Sequence, residues 1–184
     1  NRSSESLFTN QRSAKINPKD PAAHNNLGTS LKDLGRYEEA KSCFQKAIAF
    51  KPNFAEAYNN LGTTYKELSK LEEAEASYRQ AIILKPDYVK AYFNLGVTLY
   101  FLNRFEETSI CYNQVIALKP NFVEAHFNLG ITLKAMGKLE EAEASYRQAI
   151  THKAEYAEAY NNLGNILKEL GRLNEAEESL RTSI

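Results

Sequence analysis

The side chains best suited to chemistry are few and scattered. Three histidines, His24, His126 and His152, and two cysteines, Cys43 and Cys111, are the soft metal ligands and nucleophile partners of the 184 residues. None stands in a His-x-x-x-His or Cys-x-x-Cys spacing, so no zinc site is written. No glycine-rich phosphate loop and no nucleophile elbow occurs. Paired carboxylates recur at Glu38-Glu39, Glu72-Glu73, Glu106-Glu107 and Glu140-Glu141. Such pairs could serve acid–base chemistry, but an active site is a one-off constellation and these return at a fixed interval. The segment KLEEAEASYRQAI stands twice, at 70–82 and 138–150. The residues therefore assign no catalytic group, no metal and no cofactor, and the chain reads as non-enzymatic.

The interval itself is the dominant signal. Leu-Gly recurs at Leu27-Gly28, Leu61-Gly62, Leu95-Gly96, Leu129-Gly130 and Leu163-Gly164, each step being 34 residues (61 − 27 = 34). A fixed period of 20 to 50 residues marks a stacked-repeat architecture. The repeats fall at 21–54, 55–88, 89–122, 123–156 and 157–184, preceded by a degenerate leading helix in residues 1–20. In that helix, read as Leu7 to Asp20 after a frayed polar start, Ser6 and Asn10 hold the places of the repeat's alanine and aromatic. Cys43 and Cys111 align with Ser77, Ser145 and Ser179, which reads as a small packing position. Lying two repeats apart, they are too distant to form a disulfide. His24 and His126 take the slot of Tyr58, Tyr92 and Tyr160, which reads as core.

Each repeat contains two amphipathic segments. Tyr58, Leu61, Tyr65 and Leu68 recur at three and four residues, one face of a helix. Gly35, Ser69, Asn103, Gly137 and Gly171 then share one position, as expected of a left-handed residue closing the first helix. The glutamate pairs open the second helix, and Lys51, Lys85, Lys119 and Lys153 close it, both in favour of the helix dipole. Pro52, Pro86 and Pro120 stop it. Asn53, Asp87 and Asn121 are then placed to cap the next helix. The glycines of the Leu-Gly pairs should let the two helices approach, with Ala40, Ala74, Ala142 and Ala176 opposite them. Thr108 replaces that alanine in repeat three and predicts looser packing there.

This pattern resembles the tetratricopeptide repeat (TPR). Repeat two supplies Tyr58, Leu61, Gly62, Tyr65, Ala74, Tyr78, Ala81 and Pro86; repeat one supplies His24, Leu27, Gly28, Leu31, Ala40, Phe44, Ala47 and Pro52. At the end of repeat four, His152 and Ala154 stand for Leu and Pro, so the joint to repeat five need not follow the others. The resemblance implies an all-α fold, a right-handed α-solenoid whose first helices line a concave groove for a peptide or partner protein.

On those first helices Asn26, Asn60, Asn94, Asn128 and Asn162 share one position. An amide both donates and accepts, so such a ladder can hold an extended backbone irrespective of its sequence, or bond to a neighbouring repeat. It is similar to the asparagine ladder in the TPR domain of O-GlcNAc transferase. A carboxylate clamp of the kind TPRs use on heat-shock chaperones is disfavoured. Its lysine place holds Asn25, Asn59, Phe93, Phe127 and Asn161, and its asparagine place holds Thr29, Thr63, Val97, Ile131 and Asn165. Instead the middle repeats turn apolar: Phe93, Val97, Tyr100 and Phe101 recur at helical spacing, and Phe127 and Ile131 continue the theme. These residues are expected to form a patch that anchors an apolar side chain of the partner; the leading helix or a second copy of the chain could instead cover it.

Composition narrows the partner class. The chain is 43% hydrophobic and 25% charged, an ordinary folded composition, with 23 basic and 23 acidic residues. A balanced charge gives no support for nucleic acid, and no apolar run is long enough to span a membrane. The chain starts at Asn1 without a signal-peptide pattern and stops at Ile184 inside a helical pattern, so it reads as a piece cut from a longer protein whose targeting signals can lie outside it; the compartment stays unknown, an intracellular one being favoured. Three readings stand: a peptide-binding interaction module, the substrate-recruiting arm of a larger enzyme such as a glycosyltransferase, and a scaffold that self-associates through uncapped repeat ends.

Overall fold

The computed structural model describes residues 2–183. Eleven helices and no strand occur among the described residues: α1 Arg2–Ile16, α2 Pro21–Asp33, α3 Tyr37–Phe50, α4 Ala55–Glu67, α5 Leu71–Leu84, α6 Val89–Phe101, α7 Phe105–Leu118, α8 Val123–Ala135, α9 Leu139–His152, α10 Ala157–Glu169 and α11 Leu173–Thr182. The chain divides within α6, between Thr98 and Leu99, into two compact units. In the first, α1 packs on α2, α2 on α3, α3 on α4 and α4 on α5; in the second the same succession runs from α7 to α11. Among the described residues no helix is long and apolar enough to cross a membrane.

The first helix of each pair closes on the aligned turn residue. Gly35, Ser69, Asn103, Gly137 and Gly171 all adopt positive φ, between 57° and 77°. The backbone then reverses within two residues, and an arginine or lysine starts the next helix. Arg36, Arg104 and Arg172 each pair with the glutamate three residues on, Glu39, Glu107 and Glu175, at 2.7, 2.7 and 2.5 Å. These pairs give one glutamate a partner at the start of α3, α7 and α11.

The core of the first unit gathers Leu31, Ala40, Phe44 and Leu61, with Leu7, Leu27, Cys43, Ile48 and Tyr65 around them. What stands nearest the Leu-Gly glycines is a larger side chain than the alanine, although the Ala176 carbonyl oxygen also comes within 3.3 Å of a Cβ on Gly164. A Cβ on Gly28 would stand 2.7 Å from the Phe44 ring, and the same holds for Gly62 against Tyr78 and Gly130 against Tyr146. The glycine leaves a seat for a flat aromatic ring from the second helix, four residues past the alanine. In repeat five Leu180 takes the seat, at 2.6 Å from the Gly164 position. Thr108 is fully buried in repeat three, and its hydroxyl is satisfied by donating to the Arg104 carbonyl at 2.9 Å.

The joints between repeats differ from expectation in one respect. Neither Asn53 nor Asn121 caps the following helix; the N-caps are the next residues, Phe54 and Phe122, without a side-chain bond. The joint is held by a different contact. Lys51, Lys85, Lys119 and Lys153 lay their ammonium groups over Phe54, Tyr88, Phe122 and Tyr156, at 4.8, 5.2, 5.0 and 4.4 Å from the ring centres. The fourth joint keeps this contact despite Ala154, and Lys153 (φ −144°, ψ 91°) matches Lys85 (φ −143°, ψ 90°). The proline is therefore dispensable for the turn.

Helix α1 begins at Arg2, earlier than the hydrophobic pattern suggests, because the polar residues 2–6 continue the helix; Asn1 lies outside the described residues. It docks on α2 through polar contacts where a repeat would place alanine and an aromatic. Ser6 Oγ lies 3.0 Å from Ser30 Oγ, and Asn10 Nδ2 donates to Ser30 Oγ at 2.8 Å and to the Asn26 carbonyl at 3.3 Å.

Candidate peptide-binding faces of the first helices

The aligned asparagines are not equivalent. Asn26 is exposed, whereas Asn60, Asn94, Asn128 and Asn162 are half-buried. Asn60 Nδ2 donates to Asn25 Oδ1 at 3.0 Å, and Asn94 Nδ2 donates to Asn59 Oδ1 at 3.1 Å. Asn25 and Asn59 are themselves buried, and Asn25 passes the chain on to Glu56 at 3.2 Å. In the first unit the ladder thus ties each repeat to the one before, and the Oδ1 atoms of Asn60 and Asn94 are left as acceptors. In the second unit the tie changes. The position holding Asn25 and Asn59 carries Phe93 and Phe127 in repeats three and four. Asn128 pairs instead with the Tyr112 phenol, and Asn162 with that of Tyr146. Burial pushes both phenols well above their ordinary range, as it pushes that of Tyr78 to about 12.

The apolar candidates divide between the units. Phe93 and Val97 are half-buried in the first. In the second, Phe101 is 64% exposed on the last turn of α6. Tyr100 beside it is half-buried, with its ring 5.4 Å from Phe105 and 6.3 Å from Phe101. Ile131 is half-buried on α8. Phe127 is also half-buried, and its ring packs on Tyr156 at 4.8 Å and on Tyr146 at 5.8 Å. One part of it therefore belongs to the joint between α8 and α10. Aligned places in the other repeats carry Asp33, Glu67, Ala135 and Glu169 where Phe101 stands, and Thr29, Thr63, Val97 and Asn165 where Ile131 stands.

The histidines and cysteines serve packing. His24 and His126 donate from Nε2 to the carbonyls of Pro18 and Pro120, each at 2.8 Å, and pin the preceding turn. The His24 ring stacks on Phe50 at 5.7 Å, and the His126 ring lies tilted against His152 at 5.4 Å. Both cysteines are free thiols, and burial raises the pKa of Cys43. Among the described residues no three metal-ligating side chains converge.

A chain of such repeats can be compared directly with known proteins. A family profile described as TPR repeat matches residues 29–69 and 132–171. Three profiles described as tetratricopeptide repeat match 55–88, then 9–42 and 111–144, and 89–122. The sequence matches no curated protein. Among solved structures, MamA superposes with a TM-score of 0.82 at 23% identity, over 85% of this chain and 92% of that one. YrrB, described as a TPR protein with an unusual peptide-binding site, gives 0.82 at 22% identity, over 95% and 90%. PilF of Pseudomonas aeruginosa gives 0.79 at 21% identity, over 89% and 74%.

The fold and the repeat define a protein–protein interaction scaffold of the all-α, TPR-solenoid class. The chain belongs to the tetratricopeptide-repeat family.

Proposed function

We propose that the chain binds an extended segment of a partner protein along the exposed faces of its first helices. Asparagines hold the segment's backbone and apolar residues anchor its side chains. In the first unit the residues concerned are Asn26, Asn60, Asn94, Phe93 and Val97. In the second they are Tyr100, Phe101, Phe127, Asn128, Ile131 and Asn162. The observation that carries the reading is Phe101, a large ring held largely in water where three of the four counterpart helices place an acid.

Binding of a selected peptide to Phe101→Ser and Ile131→Ser tests it. Each loses the burial of an apolar side chain, worth ~1.5–3 kcal/mol before ordering costs, and should weaken binding about tenfold. Ile110 is 67% exposed on the second helix α7, so Ile110→Ser should bind as the parent does. Equal effects at all three positions would refute the reading.

A second reading, self-association through the face of α11, has one supporting observation. Leu173 is 65% exposed, whereas its counterparts Tyr37, Leu71, Phe105 and Leu139 are half-buried. Sedimentation of Leu173→Glu against the parent separates the two readings.

A further inference from the structure

The second unit's first-helix face is apolar in its middle and acidic at one end. Along α8 it presents Glu124, Phe127, Asn128 and Ile131. At the far ends of α8 and α10 the charges cancel, since Lys134 pairs with Glu169 at 3.0 Å. At the near ends they do not. Glu124 and Glu158 are exposed, and both lie close enough to Tyr156 to raise its phenol pKa, after burial. Neither forms an ion pair among the described residues. Lys119 and Lys153, each five residues before one of these acids, lie over the Phe122 and Tyr156 rings rather than on a carboxylate. Glu155, exposed on the same turn, adds a third acid.

The helix dipole explains why glutamate is tolerated at a helix start, but the first unit shows that two open acids are not a requirement of the repeat. There Glu56 accepts from Asn25, and the counterparts of Glu158 are Lys90 and Ala22.

From this arrangement we infer that the second unit takes a segment pairing an apolar residue with a lysine or arginine. The apolar residue seats against Phe101 and Ile131, and the cation reaches Glu124 and Glu158. The spacing follows from geometry. Seven residues separate Glu124 from Ile131 on α8, roughly 10 Å at a helical rise of about 1.5 Å. An extended strand covers that in about three residues. The inference rests on the peptide-binding reading above and specifies its partner by chemistry.

The test uses the full chain and labelled synthetic peptides of otherwise neutral composition. Each carries one leucine, with lysine, serine or glutamate three residues before or after it. The lysine peptides should bind about three- to tenfold tighter than the serine peptides, and the glutamate peptides weaker still, with the spread shrinking as salt rises. Glu124→Gln combined with Glu158→Gln should collapse the spread. Phe101→Ser should instead weaken all three peptides in parallel. Equal affinity for lysine and serine peptides, or a spread that survives the double glutamine variant, overturns the inference and leaves peptide binding standing. If none of the peptides responds to Phe101→Ser, the binding reading fails and this inference with it. Melting curves of each variant establish that it is folded.

Discussion

Asn60 donates its side-chain amide to Asn25 Oδ1 across the joint between the first two repeats, at 3.0 Å. The contact gives one rung of the asparagine ladder a structural duty. Asn25 is buried, so its loss leaves both Asn60 and Glu56 short of a partner. Asn25→Ala should therefore cost about 1–3 kcal/mol in urea unfolding. Asn26→Ala, one residue on but exposed, should cost less than about 0.5 kcal/mol.

The seat under each aromatic ring sets a second prediction. Gly62→Ala puts a methyl group 2.7 Å from the Tyr78 ring, whose phenol is also tied to Thr63 at 3.3 Å. The ring cannot turn away freely, so the variant should lose about 1–3 kcal/mol, measured by chemical denaturation. A neutral result would mean that the second helix shifts without penalty.

Ser69 predicts a gain. Its φ of 58° is costly for a side chain that makes no use of the conformation, and three of its four counterparts are glycine. Ser69→Gly should raise stability by about 0.5–1 kcal/mol, after the extra chain entropy of glycine is subtracted. Asn103→Gly, from φ 57°, should gain less, because asparagine tolerates this region.

Acid sensitivity should centre on the arginines at the starts of the second helices. Arg172 holds the Glu175 carboxyl below its ordinary pKa by hydrogen bonding and charge, and it reaches Glu143 at 2.6 Å. A carboxyl whose folded pKa is depressed stabilises the fold above its unfolded pKa. That stabilisation is lost as pH falls through the folded value. Arg172→Gln should thus narrow the difference in melting temperature between about pH 7 and about pH 3, more clearly at low salt, since the groups are exposed.

Much of the fold was legible because the repeat reports it several times over. The period places the helices, and the residues at Gly35, Ser69, Asn103, Gly137 and Gly171 give the turn its left-handed backbone. What the pattern hides is the identity of partners across helices. Asn25 and Asn26 are neighbours in sequence, yet about 100° apart around α2, and one is buried while the other is open. A single sequence offers no means of deciding which of the two faces a neighbouring repeat closes. Phe127 is similar: its spacing marks an apolar face, while its packing on Tyr156 depends on where the next helix starts. The lysine–aromatic contacts at the joints were readable in principle. Lys is followed three residues later by Phe or Tyr at Lys51, Lys85, Lys119 and Lys153, but asparagine beside the aromatic is the commoner cap and masks the contact.

The most direct test of the account is nuclear magnetic resonance of the isotope-labelled chain during titration with a leucine–lysine peptide. The account predicts shifts at the backbone amides of Phe101 and Ile131 and at the side-chain amides of Asn128 and Asn162, with the exposed second-helix residues Ile83 and Ile110 unmoved. Shifts confined to the second helices, or to the α11 face around Leu173, would contradict it.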